Sequence, residues 1–169
     1  SRNTMQKEDL ILAHTNSKKL MTLVNEIMDL SKLESGKIKV ETKTVVLQTL
    51  LSRIFYSYES LAKLRGIELV FDNQLPENTW LQLDVNKFEK IINNLLSNAL
   101  KYSGRGDFIT LSSISNEPQL FQVIVKDTGK GISKQDIPYV FDRFYQSERN
   151  TQQLQGGAGI GLALAREYA

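Results

Sequence analysis

No cysteine occurs among the 169 residues. That excludes disulfides and thiolate metal sites and fits a reducing compartment. Histidine is nearly absent too: His14 stands alone, with no second imidazole to share a metal. Neither sign of charge dominates, since 21 Lys and Arg against 19 Asp and Glu leave a net +2. So weak a field points to neither nucleic acid nor an acidic membrane surface as partner. No apolar run is long enough to span a bilayer, and no signal-peptide pattern opens the chain. Repeats and low-complexity segments are also lacking. The expectation is a cytoplasmic chain of one domain with a sizeable core and a small appendage.

The most organised stretch is Asp84 to Ser103, DVNKFEKIINNLLSNALKYS. At helical spacing Phe88, Ile91, Ile92, Leu95, Leu96 and Ala99 form an apolar stripe, while Asn94, Asn98 and Lys101 fall together on a polar one. Asp84 suits the N-cap and Gly104 the stop. Taken alone, the amides on that edge could simply face water.

Upstream, Leu20, Leu23, Val24, Ile27, Met28 and Leu30 recur at helical spacing, which predicts one long amphipathic helix from about Glu8 to Leu33, closed by Gly36. So strong a stripe needs burial, and a partner helix, from another chain or an absent segment, is implied. His14 lies in this helix. It reads as a surface or interface histidine in preference to a phosphoacceptor or metal ligand, because no carboxylate directly follows it to activate the ring. Residues 37 to 83 read as scaffold. Lys37 to Val40 and Thr44 to Leu47 are short β-prone pieces, Leu47 to Leu64 is one helix ended by Gly66, and Ile67 to Phe71 and Trp80 to Leu83 are strands around a turn at Pro76 and Asn78.

Phe108 to Ser113 and Phe121 to Lys126 alternate apolar and polar residues about the Asn116 to Pro118 turn, which predicts an antiparallel hairpin. The second strand runs into DTGKGI. There Asp127 would be a buried carboxylate able to accept from an exocyclic amine such as that of adenine, and Gly129 and Gly131 would let backbone approach a ligand; a plain turn is the alternative. PYVFDRFY, Pro138 to Tyr145, gathers aromatics and an arginine before the polar run Ser147 to Gln155, and the pair reads as a hinge and lid. GGAGIGLALARE then sets Gly157, Gly159 and Gly161 before a helical pattern, where freed amides suit phosphate. It lacks the lysine and hydroxyl of a Walker loop and does not follow a strand as a dinucleotide fingerprint would.

In order, NNLLSNALKYS, DTGKGI, FDRFY and GGAGIGL resemble the N, G1, F and G2 boxes of the sensor histidine kinases of two-component systems, and NEIMDLSKLESGKI resembles the end of that family's second dimerisation helix. The resemblance implies an α/β fold of the Bergerat (GHKL) type, an α/β sandwich with a mixed sheet packed on helices, preceded by one long amphipathic helix and lacking the final strands. It divides the chain into a partial dimerisation and phosphotransfer helix, residues 1–36, and a catalytic ATP-binding domain, residues 37–169.

It also implies ATP and Mg2+ as cofactors. Asn98 would ligate the metal, Asn94 would support phosphates or metal, and Lys101 would neutralise phosphate charge. Tyr102 would line the pocket, Asp127 would accept from the adenine amine, and Gly129, Gly131 and Ile132 would shape the wall around the base. Arg143 would reach the phosphates, and Gly157, Gly159, Gly161 and Leu162 would close the far side. A neutral amide suits magnesium that already has triphosphate oxygens. Asn94, Lys101 and Arg143 would carry catalysis.

The superfamily's ATPases place a glutamate one turn before the metal asparagine. Asn94 here favours phosphoryl transfer over hydrolysis. The family's phosphoacceptor histidine sits on a first dimerisation helix that this sequence lacks, so the expected acceptor is a histidine outside the chain. Further implied are a response regulator receiver domain as partner, homodimerisation through the dimerisation helices, and a full-length parent that can be membrane-anchored or hybrid. Alternatives are a nucleotide-binding or partner-docking module without kinase activity and an anti-sigma-type serine kinase.

Overall fold

A computed structural model describes residues 2–34, 39–117, 120–147 and 158–169. Helix α1 (Arg2–Glu34) leads into strand β1 (Lys43–Val46), helices α2 (Leu47–Tyr56) and α3 (Glu59–Arg65), strands β2 (Glu68–Asn73) and β3 (Trp80–Leu83), and helix α4 (Val85–Tyr102). Strands β4 (Phe108–Glu117) and β5 (Leu120–Asp127) follow, then a 3-10 turn (Ile137–Tyr139) and helix α5 (Gly161–Tyr168).

The sheet is mixed, as expected: β2 runs parallel to β4, which pairs antiparallel with β5. Leu69 opposite Ile109 and Phe71 opposite Leu111 set the parallel register. At its end the Ser113 hydroxyl donates to Asn73 Oδ1, which satisfies the one fully buried polar side chain among the described residues. Helices α2, α3 and α4 close over one face. Leu51, Leu96, Leu100, Ile109 and Leu111 are almost wholly removed from water there, the largest single source of stability. The apolar stripe expected on α4 does face this core through Ile92, Leu96 and Ala99, but Leu100 joins it.

The single helix expected over Leu47 to Leu64 is broken. The Ser57 hydroxyl turns back onto the Ile54 carbonyl at 2.6 Å and ends α2, a local bond with which serine competes against helix continuation. Tyr58 then reaches α4, its hydroxyl 2.9 Å from Asn93 Oδ1, and burial pushes its ionisation upward. Helix α3 stops at Gly66, whose φ of +68° favours glycine. A second correction concerns the first β-prone piece: Lys39 and Val40 form no strand, and Lys37 and Ile38 lie outside the described residues.

Asp84 caps α4 as its position predicts. One carboxylate oxygen accepts from the Lys87 amide at 3.1 Å; the other takes the Glu41 amide at 3.1 Å and the Lys87 ammonium at 2.6 Å. The hydrogen bond from the Lys87 side chain, aided by those amides against the opposing effect of burial, holds the carboxyl at about 2 instead of 3.8. A depressed acid stabilises the fold above its ordinary pKa and loses that contribution as pH falls toward its folded value. Asp84→Ala is therefore expected to cost about 1 kcal/mol in urea unfolding at neutral pH. The deficit should shrink as pH drops through the interval from 3.8 to about 2. At the other end α4 finishes on an extended Ser103, φ −97° and ψ 153°, and not on a left-handed Gly104.

Near its C-terminal end α1 lies against α5, where Leu30 packs with Ile160 and Leu164 and Leu23 and Leu33 fill in. Asp29 pairs with Lys90 of α4 beside it. Leu20, Val24 and Ile27 higher on the stripe stay exposed. No helix among the described residues is long and apolar enough to cross a membrane.

Candidate functional site

The polar edge of α4 forms because its opposite face is committed to the core. Asn94 is already engaged: its side-chain N–H donates to the Gly161 carbonyl at 3.0 Å, and a Cβ on Gly161 would lie 3.2 Å from Asn94 Oδ1. The glycine thus allows the first turn of α5 to seat on α4. One turn further, the half-buried Asn98 amide makes no hydrogen bond among the described residues. Lys101 follows, its ammonium 4.8 Å from the centre of the Tyr102 ring, and Lys130 stands 5.0 Å from the same ring. The two ammonium groups thus share one aromatic face at the end of α4, with the Asp107 and Asp127 carboxylates nearby.

The DTGKGI turn abuts that end. Asp127 Oδ1 accepts from the Gly129 amide at 3.0 Å, while its second oxygen makes no hydrogen bond among the described residues. The carboxylate is exposed, which corrects the expectation of a buried acid: β5 ends at the sheet's rim and no other described element covers it. Gly129 is needed for packing in the chain itself. A Cβ there would collide with the Tyr102 carbonyl oxygen and lie 2.9 Å from its carbon. Gly131 adopts φ +68°, a Cβ on it would meet nothing within 4 Å among the described residues, and Ile132 beside it is exposed.

On the far side Phe144 holds a positive φ of 62°, its amide donating to the Gly159 carbonyl at 2.9 Å. Gly159 has φ +73°, and a Cβ on it would fall 2.7 Å from the Tyr145 carbonyl oxygen. Arg143 faces Glu167 of α5 at 3.8 Å, and Leu162 is half-buried in the first turn of that helix. Gly157 and nearly all of the expected lid lie outside the described residues. His14 is exposed on α1. The structure thus gathers Asn94 with Gly161 on one side of α4, and Lys101, Tyr102, Asp127 and Gly129 around its end.

A cleft of about 420 Å³ lies elsewhere: Asn25, Asp29, Lys90, Asn94, Leu164 and Tyr168 line it between α1, α4 and α5. Burial, with Asp29 nearby, pushes the Tyr168 hydroxyl up to about 12. Of the expected site residues among the described ones, only Asn94 lines this cleft.

Two residues escaped the sequence reading. Thr128 and Asp107 tie the DTGKGI turn to the loop after α4, with Thr128 Oγ1 3.1 Å from Asp107 Oδ1. Their only signal in sequence is a hydroxyl next to the strand-end acid.

The donor set fits a magnesium nucleotide. No group of three His, Asp or Glu that could hold a metal occurs among the described residues, so a metal here must bring oxygens with its ligand, as triphosphate does beside the Asn98 amide. The Ser103 hydroxyl, next to Tyr102, is buried without a partner among the described residues, a group that calls for water or ligand. Asp127 has an oxygen to offer an amine, and the Lys101 ammonium suits phosphate.

Residues 83–169 match the family model described as histidine kinase-, DNA gyrase B- and HSP90-like ATPase. Over 160 residues the chain is 32% identical to the sensor histidine kinase WalK of Bacillus subtilis, an alignment covering 94% of this chain but 26% of that protein. The chain therefore spans about a quarter of that relative's length. Among solved structures, full-length ShkA in complex with AMPPNP is similar at a TM-score of 0.79 and 23% identity, over 96% of this chain and 33% of that one. The histidine kinase ThkA in complex with response regulator protein TrrA is similar at 0.64 and 20% identity, over 85% and 41%. At such identities the two structures speak for the fold alone.

Proposed function

The chain belongs to the histidine kinase-, DNA gyrase B- and HSP90-like ATPases, as the ATP-binding catalytic domain of a sensor histidine kinase, and on that premise we propose that it transfers the γ-phosphoryl group of ATP to a histidine outside this chain. The observation that supports the choice of transfer over hydrolysis is the amide of Asn94 on the α4 edge, its N–H on the Gly161 carbonyl. A neutral amide, unlike a carboxylate, cannot take a proton from water. The Asn94 N–H ties α5 to the phosphate edge, and its oxygen supports the phosphates or the metal.

In this reading the fold is of the Bergerat type. Residues 1–36 are part of a dimerisation and phosphotransfer helix, and residues 37–169 are the catalytic domain. Asn98 offers its amide oxygen to Mg2+. Held there, Mg2+ would supply charge neutralisation for the triphosphate. Lys101 stabilises phosphoryl oxygens from the end of α4. Arg143 does so from the 138–145 segment by leaving Glu167, since an exposed pair at 3.8 Å is weak. Tyr102 packs beside the base, Asp127 accepts from its amine, and Gly129, Gly131 and Ile132 shape the wall. Gly157, Gly159, Gly161 and Leu162 close the phosphate side. The full-length protein would dimerise through its helices, pass phosphoryl groups to a receiver domain as partner, and present this part in the cytoplasm.

Titration of AMPPNP into the chain by calorimetry tests the binding half. One saturable site per chain, weakened when Mg2+ is chelated, is expected. Heat changes no larger than dilution at millimolar nucleotide would contradict it.

A further inference from the structure

Strand β5 pairs with β4 as far as Asp127 opposite Ile109, yet the ladder does not stop there. The Thr128 amide donates to the Phe108 carbonyl at 3.1 Å, and the Phe108 amide donates back to the Thr128 hydroxyl at 2.9 Å. A side chain thereby completes a backbone pair just beyond the strand-end acid. The Thr128 proton goes to Asp107 Oδ1 at 3.1 Å, and Asp107 Oδ2 accepts from the Gly104 amide at 2.7 Å. One chain of bonds thus runs from the residue after Ser103 to the residue after Asp127. The other flank is closed by the Lys130 amide, 3.3 Å from the Tyr102 carbonyl.

Asp127 sits between these ties. Among the described residues its exposed carboxylate is held by the Gly129 amide alone, so its direction depends on the turn beneath it. The nucleotide reading requires a fixed span between the group that meets the base and the lysine and amide that meet the phosphates, both on α4. Thr128 and Asp107 set that span.

Resting on that reading, we propose that Thr128, braced by Asp107, is a positioning residue that aims Asp127 at the base and thereby sets the preference for adenine over guanine nucleotides. Guanine carries a carbonyl where adenine carries its amine, so a correctly aimed carboxylate attracts one and repels the other. Thr128→Val keeps the side-chain shape but removes the hydroxyl. Thr128 is exposed, so water takes over the abandoned Phe108 amide and Asp107 oxygen, and the fold survives.

Calorimetric titration of the full chain with AMPPNP and with GMPPNP provides the test. Thr128→Val should weaken AMPPNP by about three- to tenfold and leave GMPPNP nearly unchanged, shrinking discrimination by the same factor. Thr128→Ser should restore the wild-type ratio, and Asp107→Ala should reproduce the valine result. Equal weakening of both nucleotides, or an unchanged ratio in Thr128→Val, would overturn the proposal. Wild-type chain that binds neither nucleotide would instead remove the nucleotide reading, and this inference with it.

Discussion

Asp127→Asn is expected to weaken AMPPNP binding by about 100-fold, measured by calorimetry, with no change in the unfolding curve. The size follows from which atoms are already committed. Oδ1 of Asp127 accepts from the Gly129 amide, so an asparagine there keeps its single oxygen on that N–H. Its NH2 group then faces outward where the free carboxylate oxygen stood. An adenine amine approaching that position meets a donor, and a charge-assisted bond becomes a donor–donor clash. Because the carboxylate is exposed and supports no packing, the fold loses little. Normal binding by this variant would show that the base is recognised elsewhere.

Asn98→Ala is expected to reduce phosphoryl transfer by on the order of 10² to 10³-fold and to make the remaining nucleotide affinity insensitive to magnesium. The second effect separates this residue from its neighbour. Asn94 is spent on Gly161, and its loss would loosen α5; Asn98 is half-buried yet makes no hydrogen bond among the described residues. Removing a side chain that holds nothing in place leaves α4 intact, since its buried face lies with Ile92, Leu96 and Ala99. A variant that keeps its response to added and chelated Mg2+ would mean that the metal is ligated by another residue.

Much of this arrangement was legible from residue types. The α4 stripe, the Asp84 cap, the hairpin and the glycine start of α5 all follow from periodicity and capping rules that depend on neighbours in sequence. The misses depend on tertiary detail. Nothing in the spacing of Leu47 to Leu64 shows that the Ser57 hydroxyl will turn onto Ile54, because the break gains its value from Tyr58 meeting Asn93 on another helix. Asp127 as a strand-end acid was readable, but its exposure was not, since exposure depends on what else folds over the rim.

Gly129 gives the sharper lesson. Sequence placed it for close approach of a ligand, whereas the nearest obstacle is the protein's own Tyr102 carbonyl. A glycine in such a motif can serve the chain and the ligand at once. The Thr128 and Asp107 bonds bridge positions 21 residues apart, a pairing set by strand register that no local pattern contains.

The most direct test is transfer of label from [γ-32P]ATP and Mg2+ to a separately supplied dimerisation helix that carries the acceptor histidine. Acid-labile phosphate on that helix, dependent on this chain and lost in Asn98→Ala, is the predicted result. Release of free phosphate without labelling of the helix, or labelling of this chain at His14, would contradict it.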